Sequence, residues 1–251
     1  MNGEMQDTST GNGEAGPLRF GSRLHLRALQ GWGIERVMCM PSPAPAEAAP
    51  ADLHPPPRSV DQKAALEQQA QRVADCRQCD LCETRHLTAF GTGDADADLM
   101  FVGEAPGQQE DLRGEPFVGP AGQLLDRIIE AMGLRREQVY IANVLKCRPP
   151  GNRDPQPQEV NACEGHLERQ ILTIQPRILV ALGRPAACWL TGLDTSLARM
   201  RGQEHHWRGI PVVATYHPAF LLRQERFKAH CWQDLQRVIQ ALDLDGGRTG
   251  S

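Results

Sequence analysis

Residues 139–145, Val-Tyr-Ile-Ala-Asn-Val-Leu, decide the fold class, because they form a short and nearly continuous apolar run. Three similar runs occur along the chain, at Leu99–Gly103, Ile178–Leu182 and Pro211–Tyr216. Strands that are buried on both faces have this composition, whereas strands with one solvated face alternate apolar and polar residues. The four runs therefore predict four buried strands of a parallel sheet.

Helical periodicity fills the segments between and after these runs. The predicted helices are Gly122–Met132, Gln158–Ile174, Pro185–Leu190 and Phe227–Leu242. Strands that alternate with helices fold into a parallel sheet with helices on both faces. The sequence thus predicts an α/β fold of three layers, α/β/α, around a central and mainly parallel four-stranded sheet. Reactive groups in such folds gather at the carboxyl ends of the strands.

The chain is expected to have one folded domain, preceded by a long polar and proline-rich portion. The expected segments are a disordered N-terminus (1–17), a short extension (18–40), a linker rich in proline and alanine (41–59), the folded domain (60–243) and a flexible tail (244–251). Asp61 is expected to cap a first helix, which would deliver Cys76 and Cys79 at its end.

The bulk composition excludes several classes of protein. A net charge of −4 argues against a surface that coats nucleic acid, although a local basic cleft needs only a few arginines or lysines. No apolar run reaches the ~20 residues that span a bilayer, and the first residues lack the pattern of a signal peptide. We therefore expect a cytoplasmic protein without membrane contact, whose eight cysteines are reduced.

Four of these cysteines have the spacing of a metal site. Cys76 and Cys79 form a C-x2-C pair, and Cys147 and Cys163 follow about seventy residues later. Four thiolates hold either a tetrahedral zinc ion or an iron–sulfur cluster, and the spacing leaves both open. Cys82 makes a second C-x2-C with Cys79, so the identity of the first pair is also open. The solitary cysteines, Cys39, Cys188 and Cys231, are interpreted as apolar packing residues.

A glycine-rich loop with three carboxylates follows the first strand. It reads Gly-Glu-Ala-Pro-Gly-Gln-Gln-Glu-Asp over residues 103–111, and it places Glu104, Glu110 and Asp111 where a general base would lie. Taken alone, the loop is also typical of an ordinary turn between strand and helix. Phe117 follows between glycines and prolines, either as a buried loop anchor or as a ring on which a flat ligand stacks.

Polar and basic residues follow the second and fourth strands. Asn143 offers an acceptor and a donor side by side, which matches the edge of a pyrimidine, although such a residue is more often a cap or turn residue. The basic residues Lys146, Arg148 and Arg153 come next, and they equally suit a solvated loop. Residues 217–223, His-Pro-Ala-Phe-Leu-Leu-Arg, combine an anion-stabilising donor, apolar wedges and a phosphate-binding arginine.

In combination, these motifs resemble the family 4 uracil-DNA glycosylases, bacterial and archaeal base-excision enzymes with a [4Fe–4S] cluster. The resemblance covers residues 70–242 and rests on four motifs in order. They are Gly-Glu-Ala-Pro-Gly (103–107), Pro-Phe-Val-Gly-Pro-Ala-Gly (116–122), Asn-Val-Leu-Lys-Cys-Arg-Pro-Pro-Gly-Asn-Arg (143–153) and His-Pro-Ala-Phe-Leu-Leu-Arg (217–223). The resemblance implies a glycosylase-like fold, a uracil-DNA substrate, a monomer, and the cluster ligands Cys76, Cys79, Cys147 and Cys163.

The resemblance also implies a role for each site residue. Uracil is flipped out of the DNA, stacks on Phe117, pairs with Asn143 and contacts the backbone amide of Ala105. His217 stabilises the departing base, and Glu104 activates water, with Glu110 or Asp111 as substitutes. The residues expected to hold the DNA are Lys146, Arg148 and Arg223, with Leu221 or Leu222 as the wedge that fills the gap.

Two other classes of protein fit part of the pattern. A non-catalytic iron–sulfur module that binds nucleic acid explains the cysteines and the basic loop, but not the gathering of Phe117, Asn143 and His217 at strand ends. A zinc-stapled or thiol-redox protein explains the cysteines alone. Base release distinguishes the first alternative, and metal analysis distinguishes the second.

Overall fold

The computed structural model describes residues 61–244. The expectations for the disordered N-terminus, the extension, the linker and the tail lie outside these residues. The described chain opens with helix α1 (Gln62–Ala74), which begins after Asp61. Asp61 makes no side-chain capping hydrogen bond, so the prediction of its capping role was wrong.

Six strands of the described chain form a mixed sheet. They are β1 (Thr92–Gly93), β2 (Leu99–Gly103), β3 (Tyr140–Asn143), β4 (Ile178–Leu182), β5 (His205–Trp207) and β6 (Ile210–Thr215), in the spatial order β1-β3-β2-β4-β6-β5. The four inner strands are parallel, whereas β1 and β5 add to the two edges in antiparallel orientation. The predicted parallel core is confirmed, but the sheet has two more strands than expected. Strands of two or three residues are too short to produce a periodic pattern.

Helices cover both faces of this sheet. After α1 come α2 (Gln108–Arg113), α3 (Pro120–Ala131), α4 (Pro157–Ile174), α5 (Arg184–Thr191), α6 (Leu197–Met200), α7 (Pro218–Arg223) and α8 (Lys228–Ala241). The four helices predicted between and after the strands are confirmed to within two residues at each end. The short helices α2, α6 and α7 were not predicted, because one or two turns give little periodicity. In the part of the chain that the structure describes, no helix has the length and apolar character needed to cross a membrane.

The core has two halves, one on each face of the sheet. Along β2 the side chains alternate: Leu99 and Phe101 pack with α3, α7 and α8, whereas Met100 and Val102 pack with α1, α4 and α5. Because the strand is buried on both faces, every residue of β2 is buried. This alternation produces the α/β/α layering that the sequence predicts.

The carboxyl ends of the parallel strands lie along one edge of the sheet. Gly103 of β2 is in register with Asn143 of β3, and Leu182 of β4 is in register with Thr215 of β6. The loops that carry Glu104, Asn143 and His217 therefore leave the sheet at the same edge.

Candidate active site and thiol cluster

Asn143 and Phe117 meet beside Gly103 at this edge. A methyl carbon built on Gly103 would lie 2.3 Å from Oδ1 of Asn143 and 2.6 Å from Cζ of Phe117. Real side chains do not approach so closely, so only glycine is compatible with this arrangement. The missing side chain lets an amide group and an aromatic ring border the same small space.

The side-chain oxygen of Asn143 is buried without a partner. Asn143 is 1% exposed, and its Oδ1 accepts no hydrogen bond from the described residues. Burying an unsatisfied polar group costs about 1–3 kcal/mol, so such groups are rare in native proteins. An unpartnered acceptor at the end of a central strand is typical of a ligand-binding site, because a ligand can supply the missing donor.

The loop that carries Phe117 is held in a strained conformation. Phe117 has a φ of 55°, in the left-handed region that costs a non-glycine residue about 1–3 kcal/mol. The carboxylate of Glu110 accepts hydrogen bonds from the amides of Val118 (2.9 Å) and Gly119 (2.8 Å), which fixes the loop. Gly122 is required beside it, since a methyl carbon there would lie 1.8 Å from the Phe117 carbonyl oxygen.

His217 lies next to Phe117 as a neutral hydrogen-bond donor. The two ring centroids are 5.4 Å apart. Nδ1 of His217 accepts a hydrogen bond from the amide of Ala219 at 3.1 Å, so the proton of the neutral ring is on Nε2. Burial, together with the charge of Arg223, lowers the pKa of His217 to about 4, and the charge of Glu110 opposes this shift. The ring is therefore uncharged at neutral pH.

Of the three carboxylates in the first loop, Glu104 is uncommitted. Within residues 61–244 its side chain makes no hydrogen bond, and burial, with the charge of Asp154, raises its pKa. Glu110 holds the Phe117 loop, as described above. Asp111 is buried and accepts hydrogen bonds from the amide (2.9 Å) and Nδ1 (2.7 Å) of His86. The expected substitutes for Glu104 thus already have other partners.

The position of Lys146 contradicts its expected role at the DNA backbone. Its side chain is 1% exposed, and its Nζ donates hydrogen bonds to the carbonyl oxygen of Asn143 (2.7 Å) and to Oε1 of Gln170 (2.5 Å). Burial lowers the pKa of Lys146 to about 7, and the negative charges of Cys163 and Cys147 oppose this shift. A side chain that points into the core beneath the site does not reach a phosphate at the surface.

The other predicted DNA-contact residues divide between surface and core. Arg148 is half-buried, and its Nε donates to Oδ1 of Asn152 at 2.7 Å, whereas Arg223 is exposed. Leu222 is 41% exposed, but Leu221 is fully buried in the core between α3 and α8. The expectation that Leu221 could act as the wedge was therefore wrong, because Leu221 is a core residue. Leu222 remains as the candidate for the wedge.

The four predicted ligand thiols lie in one region. Cys147 and Cys163 are buried with Leu81 and Leu145, and Cys79 packs against them. Burial raises the pKa of Cys163, Lys146 lowers it, and the charges of Cys79 and Cys76 raise it further. Among the described residues, no three metal-ligating side chains lie close enough to bind a single ion. Cys231, expected to be a packing residue, is fully buried in the core.

One guanidinium group and one backbone amide donate hydrogen bonds to the sulfurs of this thiol region. Nη1 of Arg85 donates to Sγ of Cys147, and the backbone amide of Lys146 donates to Sγ of Cys163, both at 3.3 Å. Burial raises the pKa of Cys147 to about 11, and Arg85 lowers it. Hydrogen bonds and positive charge around sulfur stabilise the thiolate form that binds metals.

Gln170, which no sequence motif singled out, connects the site to the thiol region. Its Oε1 accepts from Lys146, and its Nε2 donates to the carbonyl oxygen of Phe90 (2.9 Å) and to the Tyr140 hydroxyl (3.2 Å). The sequence does contain a sign of its role. Cys163, His166 and Gln170 follow one another at intervals of three and four residues, and residues with this spacing share one face of a helix, here α4.

Comparison with known proteins places these features in a known group. The model of the "Uracil DNA glycosylase superfamily" matches residues 90–236. A "Type-4 uracil-DNA glycosylase" of Archaeoglobus fulgidus is 43% identical over 182 residues, which cover 69% of this chain and 92% of the relative. Another of Thermotoga maritima is 44% identical, over 68% and 86% of the two chains. A "Type-5 uracil-DNA glycosylase" of Pyrobaculum aerophilum is 34% identical, over 51% and 63%.

Proposed function

The chain belongs to the uracil-DNA glycosylase superfamily and to its type-4 group, and on this basis we propose that it removes uracil from DNA. It is a DNA-repair enzyme that hydrolyses the N-glycosidic bond between uracil and deoxyribose. The observation that carries this proposal is the unpartnered Oδ1 of Asn143 beside the ring of Phe117. A flat base with one amide-like edge satisfies both groups at once.

Asn143 provides the specificity for uracil. Its Oδ1 accepts the N3–H of uracil, and its Nδ2 donates to O4, while the ring stacks on Phe117. The backbone N–H of Ala105, which has no acceptor among the described residues, contacts a carbonyl oxygen of the base. Cytosine presents a donor at C4 and an acceptor at N3, so both contacts to Asn143 become mismatched. Sites that hydrogen-bond one base edge reject a mismatched edge strongly.

His217 stabilises the departing base. Cleavage of the glycosidic bond leaves negative charge on the uracil ring, and the Nε2–H of His217 donates to O2. A neutral donor with its tautomer fixed by Ala219 is ready for this role without reorganisation. Preorganised donors of this kind contribute about 2.7–4 kcal/mol to transition-state stabilisation.

Glu104 orients the water that attacks C1′ of the sugar. Its carboxylate also offsets the positive charge that develops on the sugar ring. The raised pKa suits a general base, because the carboxylate is a stronger proton acceptor. Glu110 and Asp111 contribute by holding the surrounding loop.

Glu104→Gln is expected to lower kcat by about 10²–10⁴-fold, the usual contribution of a general base. In the parent protein kcat is expected to rise with pH as Glu104 loses its proton, over a range above the ordinary value of 4.5. Asp154→Asn removes a charge that raises this pKa, so the acid limb should move to lower pH. Single-turnover rates across pH measure both effects, with the exposed Glu115→Gln as the matched control. An acid limb that persists unchanged in Glu104→Gln would exclude the assigned role.

Base flipping requires a wedge and phosphate contacts at the rim of the site. Leu222 fills the gap left by the flipped nucleotide, and Arg148 and Arg223 hold the backbone. Flipping costs a few kcal/mol, and an inserted apolar side chain recovers part of that cost.

Leu222→Ala is expected to affect excision from duplex DNA, whereas Leu221→Ala is expected to affect the stability of the fold. The exposed Leu222→Ala should change stability by less than about 0.5 kcal/mol and slow excision from duplex DNA by about tenfold. The buried Leu221→Ala should cost about 2–5 kcal/mol of stability. Thermal unfolding and excision rates on duplex and single strands measure these effects. Equal losses of stability in the two variants would contradict the assignment.

The thiols fit a [4Fe–4S] cluster held by Cys76, Cys79, Cys147 and Cys163. These four cysteines would hold the cluster, and the resemblance to the type-4 enzymes favours an iron–sulfur cluster over a zinc ion at this site. The charge of Cys76 reaches both Cys79 and Cys163, which favours it over Cys82 as the fourth ligand. When bound by these cysteines, the cluster would supply a structural cross-link between the end of α1, the loop after β3 and α4. The hydrolysis needs no metal.

The partner is uracil-containing DNA, single- or double-stranded, and we expect the protein to act as a monomer on DNA in the cytoplasm. The alternative of a non-catalytic iron–sulfur module that binds nucleic acid has no support from the relatives, which are named as glycosylases.

An excision assay tests the proposed function. The purified protein is incubated with an end-labelled oligonucleotide that contains one uracil, and the strand is then heated in alkali. A break at the uracil, absent with thymine at the same position, is expected. An intact strand from protein with its full iron content, together with tight binding, would identify the non-catalytic module instead.

A further inference from the structure

A second pocket, here called the arginine pocket, lies between α1 and α4. It has a volume of about 380 Å³ and is bordered by Arg72, Arg77, Arg169, His166, Gln69, Gln78 and Phe90, and also by Cys76, the first of the proposed cluster ligands. Three of the lining residues are arginines, whereas none is an aspartate or a glutamate. None of the steps described above uses these arginines or the histidine.

His166 presents a buried and unpartnered donor to this pocket. Its side chain is 7% exposed, and its Nε2 makes no hydrogen bond to the described residues. Its Nδ1 lies 2.8 Å from Nη2 of Arg169. Because a guanidinium only donates, Nδ1 must accept, and the proton is therefore on Nε2. An N–H group buried without an acceptor costs about 1–3 kcal/mol, unless a ligand accepts from it.

The arginines around this donor are available to a ligand. Arg72 and Arg77 are exposed, and within residues 61–244 neither side chain has a hydrogen-bond or ion-pair partner. Arg169 is held against His166 by the hydrogen bond described above. Several guanidinium groups that line one pocket, together with a fixed N–H, can donate to phosphate oxygens. The unpartnered Oε1 of Gln69 accepts from a water or from a protonated phosphate oxygen.

We propose that the arginine pocket binds a phosphate group, with Arg72, Arg77 and Arg169 neutralising its charge and Nε2 of His166 donating to one oxygen. The phosphate belongs either to the DNA backbone beyond the flipped nucleotide or to a free phosphorylated compound. The DNA source rests on the proposed function, whereas phosphate binding itself does not.

A chain of contacts connects this pocket to the base site. Phe90 borders the pocket, and Nζ of Lys146 lies 5.9 Å from the centroid of its ring. The same Nζ donates to the carbonyl oxygen of Asn143. Two buried side chains, Phe90 and Lys146, therefore lie between the arginine pocket and the residue that pairs with uracil.

Two measurements on the iron-loaded protein test the proposal. The first is calorimetric titration with inorganic phosphate, for the parent protein, for Arg72→Gln/Arg77→Gln and for His166→Phe. We expect binding to the parent protein, with affinity lowered at least about tenfold in each variant, as for a lost charged hydrogen bond. The second is the salt dependence of binding to an oligonucleotide with an abasic-site analogue. Arg177→Gln is the matched control, since Arg177 lies at the amino edge of the sheet beside Asp98.

The outcomes distinguish the sources of the phosphate. If DNA is the source, the slope of log K against log salt should fall by about 0.7–0.9 per lost phosphate contact in the double variant, with kcat on saturating substrate unchanged. If phosphate binds but the slope does not change, the ligand is a free phosphorylated compound. The proposal is overturned by an unchanged slope together with no phosphate binding to a parent protein that still excises uracil. It is also overturned if His166→Phe loses the visible absorbance of the cluster while phosphate binding is unchanged.

Discussion

Asn143→Asp is expected to lower the rate of uracil excision by at least about 10³-fold at neutral pH. The substitution removes the Nδ2 donor to O4 and places a negative charge against a base that becomes an anion in the transition state. Loss of one preorganised donor alone costs about 10²–10³-fold, and the repulsion adds to it. Single-turnover excision from an oligonucleotide with one uracil measures the loss.

The direction of two further changes follows from the same geometry. Cytosine should gain relative to uracil, since its amino group donates to a carboxylate. Uracil excision by the variant should recover in part as the pH falls, because a protonated carboxyl again offers one donor and one acceptor. Asn161→Asp, the same change at an exposed position of α4, is the matched control. Unchanged rate and selectivity in Asn143→Asp would remove this residue from base recognition.

Cys147→Ala is expected to remove the visible absorbance of the protein at ~400 nm and to destabilise the fold, since it deletes one of the four proposed cluster ligands. The proposed cluster would join segments as far apart as Cys76 and Cys163, so its loss should resemble the loss of a cross-link that closes a long loop. Such a loss costs about 2–5 kcal/mol, or roughly 4–20 °C in Tm for a domain of this size. Iron analysis, absorbance and thermal unfolding measure the effects.

Cys231→Ala provides the control for this substitution. Cys231 is also buried, but it lies on α8, in the core on the other face of the sheet, rather than in the thiol region. The control should retain the absorbance and the iron, with a small loss of stability from the missing sulfur atom. A colourless parent protein, or a coloured Cys147→Ala protein of parental stability, would contradict the assigned ligands.

The long buried strands could be predicted from the sequence, because burial on both faces leaves only apolar residues in β2 and β4. The edge strands β1 and β5 could not, since each owes its existence to pairing with a neighbour rather than to its own two or three residues. The same limit applies to α2 and α7. These short helices are fixed by what precedes them, the glycine-rich loop and the loop of His217.

In the site, residue types were predictable but the direction of side chains was not. Asn143, Phe117 and His217 converge as expected for residues at the ends of parallel strands. Lys146 follows Asn143 by three residues in a basic motif, yet its ammonium group turns inward to the Asn143 carbonyl and Gln170. Leu221 and Leu222 are chemically identical neighbours, and only the packing of α7 against α3 decides which of them is exposed.

Lys146 instead holds the backbone of Asn143 in place beneath the base site. It joins the carbonyl of Asn143 to Gln170 of α4, the helix that also carries Cys163. The base site and the thiol region are therefore two ends of one buried polar network. Such networks specify a unique arrangement when every member has a partner.

The central claim is that uracil lies on Phe117 with its amide-like edge against Asn143. A crystal structure of the iron-loaded protein soaked with uracil tests it most directly. We expect uracil beside Gly103, stacked on the Phe117 ring, with Oδ1 and Nδ2 of Asn143 within hydrogen-bond distance of N3 and O4. Uracil bound elsewhere, or bound here with Oδ1 of Asn143 still unpartnered, would contradict it.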